Sequence, residues 1–254
     1  MAGYGSGGAM IPRAQLWMAD APDGGLDSWL EEALKAILSK EELAKAARFH
    51  FTRDRHTYLA AHALVRRALA QAGGLAPATW QFVTGAFGRP EVADFQGREF
   101  EPPLRFNLTH TRGLVACLVC PGADCGVDAE CWERTVDVAA LAGRVLTPPE
   151  RRDLFCHWGT ARRRRFFQYW TAKEAYVKAR GVGLSFGLGN VGVQLTPKVA
   201  LAMDPEGDEA AHWQLQLYYP TPRHVVSVAL DRGTGPDFDV ATRWVTVEWL
   251  AGLG

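Results

Sequence analysis

The stretch from Leu114 to Glu130 reads LVACLVCPGADCGVDAE. Its first part, Leu114–Val119, is an apolar run of strand length. Pro121-Gly122 then breaks the chain. Gly126–Glu130 resumes as a second strand, in which Val127 and Ala129 alternate with Asp128 and Glu130. A break this sharp places the boundary between two folded halves near Pro121–Cys125. The N-terminal half is accordingly assigned residues 1–123 and the C-terminal half residues 124–254.

Outward from this break, both halves show a helix followed by strands. On the N-terminal side, Gln15–Met18 reads as a strand. Leu26–Ala47 is helical by its apolar spacing, with Trp29, Leu30, Ala33, Leu34 and Ile37 on one face. Ser39 with Glu42 resembles a capping box and predicts a second helix start. Arg53–Ala72 is a further helix, stopped by Gly73-Gly74. Trp80–Val83 reads as a strand, Gly88-Arg89-Pro90 as a turn, and Arg105–Leu108 as a strand. Thr109–Gly113 is read as a polar loop. On the C-terminal side, Val136–Leu146, Glu150–Trp158 and Arg162–Ala179 are helical, and Gly181-Val182-Gly183 ends the last. Asn190–Leu195, Trp213–Tyr219 and His224–Leu230 read as strands, and Arg243–Trp249 as a candidate strand. The pattern predicts an α+β fold with largely antiparallel sheets.

The chain has 254 residues, 48% hydrophobic and 22% charged, which suits a globular protein with a real core. Its 28 basic and 28 acidic residues cancel, which argues against a general nucleic-acid binder. No stretch is long and apolar enough to span a bilayer. Five cysteines, an odd number, and no signal peptide point to a reduced cytoplasmic compartment. The Gly-rich opening Met1–Met10 is set aside as a tail. Cys117 and Cys120 would leave opposite faces of one strand, which argues against a zinc site. The basic run Arg162–Arg165 is either a solvated helix face or a docking surface for an acidic protein.

Asp128 and Glu130, two apart on a strand, leave the same face. They suit either a hard cation such as Mg²⁺ or a solvated acidic edge. Glu174 lies on a helix stripe with Phe167, Trp170 and Val177. A carboxylate there needs a partner. It is either a third metal ligand beside Asp128 and Glu130, or one member of an ion pair with Lys178, one turn on. Arg48, Arg53, Arg89, Thr109 and His110 are candidates to surround a phosphorylated ligand.

Three motifs fall in order: Phe106-Asn107-Leu108-Thr109-His110-Thr111, then Gly126-Val127-Asp128-Ala129-Glu130, then Phe167-x-x-Trp170-Thr171-Ala172-Lys173-Glu174-Ala175, continued by Lys178 and Gly181-Val182-Gly183-Leu184. The sequence resembles the Sfp-type 4′-phosphopantetheinyl transferases, in the subgroup whose third motif reads W-x-x-K-E-A. Gly88-Arg89-Pro90 and Arg48-Phe49 with Asp54-Arg55 are similar to two further family motifs. The resemblance implies two similar α+β halves forming an intramolecular pseudodimer, with coenzyme A between them. It implies transfer of the 4′-phosphopantetheine group to a serine of an apo acyl or peptidyl carrier protein of fatty-acid, polyketide or nonribosomal-peptide synthesis, with release of 3′,5′-ADP. Asp128, Glu130 and Glu174 would hold Mg²⁺ or Mn²⁺. Glu174 and Lys178 would act in catalysis, Lys178 also on the pyrophosphate. Arg48, Arg53, Arg89, Thr109 and His110 would hold the adenosine end. With both halves in one chain, a monomer is expected, with neither nucleic acid nor membrane as partner. Thr109 and Arg89 stand where serine and lysine are commoner, and Gly235–Gly254 lies beyond the resemblance.

Overall fold

The computed structural model describes residues 11–21, 24–85, 88–93, 100–183, 186–203 and 210–253. The opening Met1–Met10 and Leu184 of the third motif lie outside them. The fold is α+β, as expected. Two sheets pack face to face, and each carries one long helix on its outer side.

The first sheet has the order β11-β1-β5-β4, built from β1 (Arg13–Ala19), β4 (Leu104–Thr111), β5 (Leu114–Pro121) and β11 (Asp239–Val245). Period-two alternation assigns its faces. Leu16, Met18, Leu114, Ala116, Leu118 and Cys120 point to the seam between the sheets. Trp17, Ala19, Val115, Cys117 and Val119 point to α3 (Thr52–Gly73). The second sheet has the order β6-β10-β9, from β6 (Cys125–Cys131), β9 (Trp213–Tyr218) and β10 (His224–Asp231). Cys125, Val127, Ala129, Val226, Val228 and Leu230 meet the seam. The opposite face carries α6 (Gly159–Arg180). Burying both faces of β5 explains why its run shows no polar alternation.

The two long helices are alike. Each has 22 residues and ends on a left-handed glycine, Gly74 at φ 70° and Gly181 at φ 64°, the conformation that caps a helix most cheaply with Gly. Before α3 lie α1 (Ser28–Lys35) and α2 (Lys40–Ala46). The predicted capping box is present, with Ser39 accepting from Glu42 N and the Glu42 side chain accepting from Ser39 N. The smaller elements are β2 (Phe82–Thr84), β3 (Pro90–Val92), α4 (Val138–Val145), α5 (Pro148–Phe155), β7 (Gly192–Gln194) and β8 (Ala200–Met203). A second capping box, Thr147 with Glu150, starts α5 earlier than the apolar spacing suggested.

Three expectations are corrected. Thr109 and His110 are not in a loop, since β4 runs on to Thr111 and turns at Arg112-Gly113. Their backbone pairs with β5, and the polar side chains of Thr109 and Thr111, which read as a loop, are met by β6. Trp29 is half exposed rather than in the core. Finally, the end of the chain does not stay with the C-terminal half. Residues Asp239–Val245 pair in parallel with β1, and α7 (Val247–Ala251) packs on α1 and α3. Trp249 stacks on Trp17 at 5.2 Å, and Arg67 Nε donates to Leu250 O at 3.0 Å.

Candidate active site

The site lies where β4 of the first half runs beside β6 of the second. Asn107, Thr109 and Thr111 sit on one face of β4 at two-residue spacing. Val127 N donates to Asn107 Oδ1 at 3.0 Å, Thr109 Oγ1 donates to Asp128 Oδ1 at 3.3 Å, and Cys131 N donates to Thr111 Oγ1 at 3.3 Å. The partners advance together along both strands, so the strands run in the same direction. Side chains of the first motif thus bond the second motif and join the two halves.

Asp128 and Glu130 share the β6 face that looks at α6, and both are 7% exposed. The reading of a solvated acidic edge is therefore wrong for this strand. Gly126 is the reason the helix comes so near. A β-carbon there would meet the Ala175 carbonyl oxygen at 2.0 Å and Ala179 N at 2.5 Å, so helix and strand touch backbone to backbone. From this close helix, Lys178 Nζ reaches Asp128 Oδ1 at 2.6 Å and Val127 O at 3.3 Å. Glu130 is held by Arg134 at 3.0 Å and by the Thr111 hydroxyl at 3.5 Å.

Glu174, one helical turn before Lys178, is also 7% exposed. Lys178 turns to Asp128 instead, and among the described residues the Glu174 carboxylate has no hydrogen-bond or ion-pair partner. Burial, then Asp128, pushes the Glu174 carboxyl up to about 7, and Glu130 adds to the rise. Burial also raises Asp128, opposed by Lys178 and Thr109. It raises Glu130, helped by the charge of Asp128. Asp128 Oδ2 is buried without a hydrogen-bond partner among the described residues. Among the described residues, no three His, Cys, Asp or Glu side chains converge closely enough to enclose a metal ion as they stand.

A cleft of about 470 Å³ opens beside these groups, with Arg89, Leu108, Trp170, Glu174, Val177 and Lys178 among its lining residues. Trp170 and Val177 thus wall the cleft rather than the core alone. Arg89 enters from the turn before β3, where its Nη2 donates to Asp124 Oδ1 at 2.7 Å and its Nη1 to Ala179 O at 2.6 Å. His110 stands exposed on β4. The protein packed behind its ring lowers its pKa, Lys178 lowers it further, and His62 and Asp54 of α3 also act on it. Arg48 and Arg53 are exposed and do not line the cleft, and Arg53 pairs with its neighbour Asp54 at 3.4 Å.

Sequence reading missed three supports. Thr111 and Arg134 hold Glu130. Asn107 fastens β4 to β6. Lys173, beside Glu174 in the third motif, points away from the cleft and is fully buried. Its ammonium donates to Glu150 Oε2 at 2.5 Å, Val145 O at 2.7 Å and Leu188 O at 3.2 Å. Glu150 in turn accepts from Thr147 N and Val193 N, each at 2.7 Å. The one available signal was the capping-box spacing of Thr147 and Glu150.

The chain matches two family profiles. The 4′-phosphopantetheinyl transferase superfamily profile covers residues 124–229. The profile of the 4′-phosphopantetheinyl transferase N-terminal region covers residues 27–121. The 4′-phosphopantetheinyl transferase HetI of Nostoc sp. is 34% identical over 197 residues, which is 78% of this chain and 80% of that one. A phosphopantetheinyl transferase of Thraustochytrium sp. is 32% identical over 87% of this chain and 78% of its own length. Among solved structures, a holo-(acyl-carrier-protein) synthase from Bacillus anthracis in complex with CoA (3′,5′-ADP) is 21% identical. It covers 42% of this chain and 93% of that one, with a TM-score of 0.37.

Proposed function

The chain belongs to the 4′-phosphopantetheinyl transferase superfamily, and from that we propose that it moves the 4′-phosphopantetheine group of coenzyme A to a serine of an apo carrier protein, releasing 3′,5′-ADP in a Mg²⁺-dependent reaction. The observation that carries the reading is the meeting of Asp128, Glu130, Glu174 and Lys178 beside one cleft between the halves.

The carboxylates fit a hard divalent cation. They are oxygen donors, burial raises all three, the charge of Asp128 adds to the rise of Glu130 and Glu174, and Asp128 Oδ2 lacks a partner among the described residues. Asp128, Glu130 and Glu174 would hold it. When bound, Mg²⁺ would supply neutralisation of charge on the pyrophosphate oxygens.

The residues of the chain do the rest. We assign His110 on β4 and Lys178 on α6 to phosphate oxygens, with Thr109 on β4 joining them when its hydroxyl leaves Asp128, and Arg48 and Arg53 add cations near the start of α3. Arg89 lines the cleft, with its guanidinium paired to Asp124 and bonded to the Ala179 carbonyl, and would turn from Asp124 to meet a phosphate. In the transfer, the serine oxygen bonds to the β-phosphorus as the bond to the 3′,5′-ADP oxygen breaks. The serine proton passes to Glu174, the carboxylate without a hydrogen-bond or ion-pair partner among the described residues. Lys178 offsets charge on the departing phosphate. We assign the adenosine side of the cleft to the N-terminal half and the acidic cluster to the C-terminal half.

Intact mass of several apo carrier proteins, incubated with the protein, coenzyme A and Mg²⁺, tests this. A gain of one phosphopantetheine, blocked by EDTA, is expected. No gain on any carrier, with coenzyme A still bound, overturns the reading.

A further inference from the structure

Transfer to a protein serine requires a second folded protein to settle on a surface continuous with the carboxylates. A groove near them offers such a surface. It has a volume of about 640 Å³ and is lined by Trp132, Arg164, Gln168, Tyr219 and the turn Pro220–Pro222. Trp132 follows Glu130 by two residues, roughly 7 Å of extended chain. Gln168 precedes Glu174 by six residues on α6, roughly 9 Å of helix. The groove therefore lies off the end of β6 that follows Glu130 and beside the turns of α6 that precede Glu174.

Its chemistry is that of a protein-binding surface. Trp132 is 7% exposed. The Arg164 guanidinium lies 4.7 Å from its centroid, and the Tyr219 ring 6.2 Å away. Gln168 Nε2 donates to the Tyr219 hydroxyl at 2.7 Å, which props up a side chain that is 52% exposed. Trp, Tyr and Arg are the residues that most often anchor protein interfaces. A guanidinium stacked on a ring keeps its N–H edge free for a carboxylate. Arg165 spends that edge on Asp153 at 2.6 Å. Arg163 and Arg164, both exposed, have no carboxylate partner among the described residues. In a chain of zero net charge, unpaired cations beside an aromatic floor complement an acidic protein surface rather than a nucleic-acid backbone.

We propose that this groove is the docking surface for the carrier protein, which it receives through carboxylates flanking the acceptor serine. The inference rests on the transfer reading and locates its second substrate. The test uses the full chain with Arg164→Glu and, separately, Tyr219→Ala. Affinity for a fluorescently labelled apo acyl carrier protein is measured without coenzyme A, followed by steady-state transfer. Each variant is expected to weaken carrier binding and raise the carrier KM at least tenfold, with the coenzyme A KM and kcat within twofold of wild type. A carrier with a flanking glutamate changed to lysine should recover binding to Arg164→Glu. Transfer with carrier KM unchanged in both variants overturns the docking proposal alone. Carrier binding that both variants abolish, with no transfer by the wild type, sustains the docking and removes the transfer reading. A dimer that Arg164→Glu dissociates while the carrier KM stays unchanged assigns the groove to a second copy and overturns the proposal.

Discussion

Gly126 and Ala175 stand backbone against backbone: a β-carbon on Gly126 would lie 2.0 Å from the Ala175 carbonyl oxygen. No side-chain rotation relieves such a contact, because both partners are main chain. This approach lets Lys178 Nζ come within 2.6 Å of Asp128 Oδ1. Gly126→Ala is expected to push α6 off β6, cost about 1–3 kcal/mol or more, and lose transfer out of proportion to the loss of stability. Urea denaturation and transfer assays on the same preparation check both.

Lys173→Met should act on stability, since the ammonium is fully buried and bonded to Glu150. Removing one member of a buried pair leaves the other uncompensated, at about 3–5 kcal/mol. The double change Lys173→Met with Glu150→Gln should recover part of that loss. A Lys173→Met protein of normal stability and no transfer would instead make Lys173 a catalytic residue.

Glu174→Gln is expected to lower kcat by about 10²–10⁴-fold, the range for losing a general base, while coenzyme A binding persists. It should also stabilise the protein at high pH. The folded carboxyl titrates at about 7, above the ordinary value of 4.5. The folded form therefore keeps a proton that the unfolded chain gives up. Through this group, stability is highest below about 4.5 and falls as pH rises to 7. In EDTA, Tm of the Gln variant minus that of wild type should grow from pH 5 to pH 8. A constant difference would contradict the raised pKa.

His224 should give the opposite slope. Its ring is buried between the Thr221 hydroxyl at 2.7 Å and the Arg112 carbonyl at 2.8 Å. Burial lowers its pKa below the ordinary 6.5. The folded form resists a proton that the unfolded chain accepts, so this group removes stability as pH falls below about 6.5. His224→Gln should flatten the acid side of the stability profile relative to wild type, read by denaturant midpoints from pH 7 to pH 5.

Thr111 is expected to act through Glu130. Its hydroxyl donates to Glu130 Oε2 at 3.5 Å and accepts from Cys131 N at 3.3 Å. Thr111→Val keeps the shape and removes both bonds. The Mg²⁺ concentration for half-maximal transfer should rise several-fold with little change in the coenzyme A KM, and Thr111→Ser should restore it. Equal effects of Val and Ser would reduce Thr111 to packing.

Much of this protein is legible in its sequence because the deciding signals are local. Apolar spacing, the Ser39–Glu42 capping box and the glycines after α3 and α6 fix where helices begin and end, since a helix end must satisfy its own backbone within a few residues. Alternation on β6 put Asp128 and Glu130 on one face, and the order of the three motifs carried the family. What only the tertiary structure decided depends on segments far apart in the chain. The polar end of β4 continues as a strand paired with β5, with β6 meeting its Asn107, Thr109 and Thr111 side chains, and Asp239–Val245 returns to β1 from the far end of the chain. Spacing on α6 offered Lys178 to Glu174, but packing at Gly126 brought a second carboxylate, Asp128, closer, and the ammonium went there. Local chemistry sets which residues are available. The approach of two backbones sets which of them meet.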